Sequence, residues 1–80
     1  MSWNYRVIRK QLSKNEEIYE IHEVFYSEKG KIENWSADPI APHGSSASEL
    51  LNSIMLMLEC LQKPILEVVN KKGKETLEEI

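Results

Sequence analysis

Ile18-Tyr19-Glu20-Ile21-His22-Glu23-Val24-Phe25-Tyr26 is rich in β-branched and aromatic residues and carries apolar groups on both sides of an extended chain. With the period of two that a strand imposes, Ile18, His22, Val24 and Tyr26 share one face with Glu20. Tyr19, Ile21 and Phe25 share the other with Glu23. A strand with two apolar faces belongs in the middle of a small sheet, with one face under a helix. The second face is where interaction with a partner is expected.

Working outward, Trp3-Asn4-Tyr5-Arg6-Val7-Ile8-Arg9-Lys10 reads as a half-buried strand with Trp3, Tyr5 and Val7 on one side. The polar run Ser13 to Glu17 reverses the chain between the two. After the second strand, Ser27-Glu28-Lys29-Gly30 supplies a turn, and Lys31 to Ser36 returns as a shorter strand with Ile32 and Trp35. From Ala37 to Ser45, Asp38-Pro39 and Pro42-His43-Gly44 punctuate a loop that crosses from sheet to helix.

Ser46-Ala47-Ser48-Glu49 has the spacing of a capping box and marks a helix start. Ala47, Leu50, Leu51, Ile54, Met57, Leu58 and Leu61 then recur at three- and four-residue intervals, a stripe expected to face the sheet. Leu56 and Met55 fall beside it and widen the apolar arc, leaving room for a helix contact between subunits. Pro64 stops the helix. Ile65 to Val69 is too apolar for a free tail, and the pattern leaves open whether it is an extra strand or a helical turn. Residues 70–80 are charge-dense, with a frayed or weakly helical end expected.

The expected fold is therefore α+β: a three-stranded antiparallel β-meander packed on one α-helix, in the order β-β-β-α, with a short extra C-terminal element. The expected domain spans residues 1–69, followed by a charged tail over 70–80.

At 80 residues the core must be thin, because a chain of this size buries only about 60% of its unfolded surface. With 41% apolar and 29% charged residues, the chain is nevertheless too apolar to be wholly disordered. The 13 acidic residues outnumber the 10 Lys and Arg, giving a formal charge of −3, which argues against a phosphate-binding surface. Arg6, Arg9, Lys10 and Lys14 near the start, and Lys71, Lys72 and Lys74 near the end, read as solvated faces. The one cysteine, Cys60, has no internal disulfide partner and sits in an apolar helical run. That, and the lack of a signal-like start or a membrane-spanning apolar run, points to a cytoplasmic setting with no membrane partner.

The chemistry-bearing residues are His22, His43, Cys60, Asp38 and the glutamates beside His22. On a strand, Glu20 and His22 point the same way, so the carboxylate can orient the imidazole as a general-base pair or as two metal ligands. No third ligand or nucleophile carries a spacing that joins them, and a strand histidine paired with a neighbouring carboxylate is the simpler reading. The Met55 and Met57 pair is better explained by packing than by an adaptable binding surface. Trp3, Tyr5, Tyr26 and Trp35 are not interleaved with basic residues, as nucleobase stacking along a backbone would require. No glycine-rich phosphate loop, paired-cysteine motif or nucleophile elbow occurs. No catalytic residue, metal ligand or cofactor is assigned.

Trp3-Asn4-Tyr5-Arg6-Val7-Ile8, Tyr19-Glu20-Ile21-His22-Glu23-Val24, Trp35-Ser36-Ala37-Asp38-Pro39 and Lys63-Pro64-Ile65-Leu66 resemble a family of short, uncharacterised bacterial proteins over residues 3–66. Ala37 departs from that pattern, which has an acidic residue there. The resemblance implies a bacterial origin and a shared fold, and carries no activity. The order of three strands and a helix is also similar to HicB-type antitoxin domains, in topology only.

These readings predict a non-enzymatic protein-interaction module acting as a homodimer, through Tyr26, Trp35, Leu56, His22 and His43. The alternatives are a small enzyme or metal-binding protein centred on His22 and Glu20 with His43 nearby, and a HicB-like antitoxin or regulator. The last would unite Arg6, Arg9 and the C-terminal lysines in one positive patch.

Overall fold

The computed structural model of the chain describes residues 2–80. Two ten-residue strands, β1 (Ser2–Gln11) and β2 (Glu17–Tyr26), pair antiparallel along their whole length, from Ser2 opposite Tyr26 to Gln11 opposite Glu17. The short strand β3 (Ile32–Trp35) adds to the free edge of β2, with a register shift between Phe25 and Tyr26. The loop from Ser36 to Ile40 then runs on along that edge, where the amides of Ser36 and Ile40 donate to the carbonyls of Glu23 and Ile21.

The helix α1 (Ala47–Glu59) continues into a 3₁₀ turn at Cys60–Gln62. Ser46 caps it, its hydroxyl accepting from the Glu49 amide at 3.2 Å. Glu49 completes only half of the capping box, since its carboxylate accepts from the Ser45 hydroxyl.

Two further strands follow, and they correct the expected three-stranded meander. β4 (Leu66–Lys71) pairs parallel with β1, and β5 (Lys74–Glu79) pairs antiparallel with β4. The result is a five-stranded mixed sheet in the order β3-β2-β1-β4-β5 with one helix. Residues 65–69 thus contribute to a strand, and residues 70–80 form most of a hairpin instead of a frayed tail. The hairpin turns on Lys72 (φ 52°) and Gly73 (φ 80°), and two successive positive φ values give the primed turn that matches the strands' twist. The Asn70 side chain accepts from the Gly73 amide at 3.1 Å and fixes that turn.

Alternation along the paired strands sorts the sheet into two faces. One holds Ile8, Val24 and Leu66, all fully buried, with Leu77, and against them pack Tyr26, Ile32, Trp35 and Val68. Ile32 and Trp35 come from one edge strand and Leu77 from the other, and residues of both edges line a common cleft. The sheet therefore curls so that its edges cover its own inner face. The helix takes the outer face, where Val7, Met57 and Cys60 are buried at the foot of α1.

Leu66 is central to the inner core, so Leu66→Ala is expected to cost about 2–5 kcal/mol of stability. Removing residues 72–80 is expected to abolish cooperative thermal unfolding followed by circular dichroism, whereas loss of a frayed tail would leave it unchanged.

Candidate interaction surface

The helix was expected to turn its whole apolar stripe to the sheet, and it does not. Within α1 only Met57 is buried, at 4% exposure, whereas Leu51 is 59% exposed, Leu58 61% and, in the following turn, Leu61 63%. At about 100° per residue, Met57 and Cys60 point down at β1. Leu50, Leu51, Ile54, Met55, Leu58 and Leu61 sweep an arc to one side, and Glu49, Asn52, Leu56 and Glu59 lie on the other. Periodicity identifies residues that share a face. One thin sheet cannot cover so wide an arc.

The two flanks border different spaces. Beside the apolar flank runs an open groove of about 430 Å³, walled by Tyr19 and Ile21 of β2, Ile40 and Pro42 of the crossing loop, and Ile54, Met57, Leu58 and Leu61. Beside the polar flank lies a cavity of about 610 Å³ edged by Tyr5, His43, Glu49, Asn52 and Leu56. Gly44 holds His43 at this second rim. A Cβ at Gly44 would meet the Leu50 nitrogen at 2.5 Å, so the loop touches the helix's first turn only because no side chain intervenes.

The five residues expected to carry the interaction fall on both faces of the sheet. His22, Tyr26 and Trp35 belong to the inner face, where His22 is fully buried and the other two are half-buried. Leu56 and His43 are exposed on the outer side. His22 and His43 are therefore separated by the sheet. The Tyr26 hydroxyl accepts from Arg6 Nη1 at 3.0 Å and donates to Asn4 Oδ1 at 2.8 Å. Of the residues of the apolar groove, Ile54, Leu58 and Leu61 were expected to face the sheet, and Tyr19 carried no expected role. Their signal in the sequence is the breadth of the apolar arc, which the Met55 and Leu56 pair already betrays.

His22 is held by a closed set of partners. The Ser36 hydroxyl donates to the Asp38 carbonyl at 2.9 Å, so it accepts from the ring along with the Ser36 carbonyl, and Nδ1 is the donor to both. Nε2 faces Glu20 Oε1 at 3.1 Å, and Lys10 Nζ reaches the same oxygen at 3.1 Å. The ring thereby ties the chain leaving β3 to β2. Hydrogen bonds from His22 and Lys10 hold the Glu20 carboxyl below its ordinary value of 4.5, against the opposing effect of burial. Among the described residues, no three His, Cys, Asp or Glu side chains converge as a metal site.

The basic residues are also dispersed. Arg6 is buried, with Nη2 donating to the Pro64 carbonyl at 2.8 Å. Arg9 bridges to Glu67 at 2.8 Å across the parallel pair, and Lys71 pairs with Glu78. Burial pushes the Cys60 thiol up, so it is a packing group and a poor nucleophile. Among the described residues, no helix is long and apolar enough to cross a membrane. No family model, curated protein or solved structure matches the chain.

Because the folded state depresses the Glu20 pKa, the contribution of this carboxylate is complete above the ordinary carboxylate range and is lost as pH falls through the depressed value. Glu20→Gln is expected to melt below wild type at pH 7, with the difference closing on acidification. A melting-temperature profile from pH 7 to pH 3 checks this; a gap that is constant with pH refutes it.

Proposed function

We propose that this chain is a non-enzymatic protein-interaction module that acts as a homodimer through the outer surface formed by α1 and the exposed face of β2. The observation that carries this reading is an excess of surface. The chain exposes 6089 Å², about 1,000 Å² more than the roughly 5,000 Å² expected of a compact monomer of 9.3 kDa. Its radius of gyration, 13.7 Å, likewise exceeds the ~11.6 Å of a compact domain of this length. Among the described residues, seven of the thirteen exposed large apolar residues lie on α1 and the turn that follows it. Contiguous apolar patches of that kind mark association sites.

Catalysis finds less support. His22 is fully buried and Glu20 is only partly exposed, and neither residue borders any of the cavities described above. Its partners account for a role in holding the chain after β3. The reading as an antitoxin-like regulator would draw on a basic surface, and Arg6 and Arg9 are already committed to internal partners.

Sedimentation equilibrium or light scattering is expected to give a dimer at tens of micromolar. Leu58→Glu, which places a charge in the patch at both copies of the site, is expected to weaken association by at least ~100-fold while leaving the circular dichroism spectrum native. A wild-type chain that stays monomeric at high micromolar concentration removes the proposal.

A further inference from the structure

The spacing of the exposed residues says more than that a patch exists. Leu51, Ile54, Leu58 and Leu61 follow one another at intervals of three, four and three, the a/d pattern of a coiled-coil seam, and all four are exposed. Leu50 and Met55 flank them, and the arc contains no charged residue. The pattern also reads the same from either end. An antiparallel two-fold pair can use this symmetry, because spacing that is even about its midpoint sets each seam residue level with its counterpart on the other copy.

Resting on the homodimer reading above, we propose that the partner surface is the same helix of a second copy. The two α1 helices, each with the 3₁₀ turn that follows it, pack antiparallel along Leu51, Ile54, Leu58 and Leu61, with the two-fold axis level with Leu56. Leu51 then lies against the partner's Leu61, and Ile54 against the partner's Leu58.

The groove selects this direction over a parallel pair. Its wall of Tyr19, Ile21, Ile40 and Pro42 stands beside the C-terminal half of the seam, from Ile54 to Leu61, and Leu51 lies outside it. Antiparallel pairing lays the unwalled N-terminal half of each helix into the other's groove, twice by symmetry. Parallel pairing would set groove against groove and fill neither. The area fits as well. The six residues of the arc with Tyr19 expose on the order of 700–800 Å² per copy, an upper bound on what the pair buries that lies near the ~800 Å² per partner of a standard stable interface.

Oxidative cross-linking reads the register directly, because Cys60 is buried and stays silent. An equimolar mixture of a Leu51→Cys chain and a tagged Leu61→Cys chain is expected to give a disulfide-linked heterodimer, while each chain alone gives none. Cross-linking of each chain alone, as parallel pairing would produce, overturns the proposal. A dimer by light scattering with no cross-link in any mixture overturns the register but leaves the homodimer standing; a monomer overturns both. A charge pair provides an independent reading. Leu51→Glu and Leu61→Lys are each expected to be monomeric and folded, and mixing them is expected to restore a heterodimer. Failure to restore it from two natively folded chains counts against the antiparallel register.

Discussion

The ten-residue ladder between β1 and β2 is the element on which the rest of the molecule depends, because it presents apolar side chains on both of its faces. Both faces must leave water, and an 80-residue chain has little material with which to cover them. The inner face is covered by the sheet itself: β3 and the β4–β5 hairpin curl inward from opposite edges and bring Ile32, Trp35 and Leu77 over Ile8, Val24 and Leu66. With four of the five strands drawn into that curl around β1, a single helix remains for the outer face. It rests there on Val7, Met57 and Cys60 and leaves most of its apolar surface uncovered.

The polar residues of the inner face fix the ladder's register more than they suggest chemistry. Arg6 stands opposite His22, and both are buried among hydrogen-bond partners that include the segments just before β4, at Pro64, and just after β3, at Ser36. A slip of β2 by one residue against β1 would transfer Glu20 and His22 to the helix side, taking His22 from Ser36 and Glu20 from Lys10. Leaving such a group buried and unpaired costs about 1–3 kcal/mol or more when it is charged. His22 and Glu20 look like a catalytic pair in the sequence because the two-residue spacing of a strand brings them together. The same spacing lets them pin the chain beyond β3.

The parts of this fold that are legible in the sequence are those whose signal is local. Alternation over Trp3–Lys10 and Ile18–Tyr26, the turn ending at Gly30, and the serine cap at Ser46 are each set by neighbours in the chain. β5 is hidden because it is an edge strand with one buried residue, Leu77, among glutamates and a lysine. Charge of this kind shields an edge from unwanted pairing, and in composition it is indistinguishable from a tail. The parallel pairing of β1 with β4 joins Ile8 to Leu66 across most of the chain, and no local pattern encodes it. The surface proposed for association escaped for a related reason. Leu51, Ile54, Leu58 and Leu61 read as a core stripe because periodicity is blind to whether the covering partner is the chain's own sheet or a second copy.

The asymmetry of the helix also limits what kind of assembly it can make. Its other flank, where the exposed Leu56 lies among Glu49, Asn52 and Glu59, is the more polar of the two. In the proposed dimer only the apolar flank is adhesive. A sticky surface that complements a different surface elsewhere on the molecule builds open chains, whereas a single self-complementary flank closes after two copies. Burial of that flank would add to the few contacts that seat α1 on β1, so association and the stability of the helix are coupled. Melting temperature should rise with protein concentration, as mass action requires of any fold completed by its partner. In the proposed dimer, the outer face left uncovered by a short chain would be the source of the association energy.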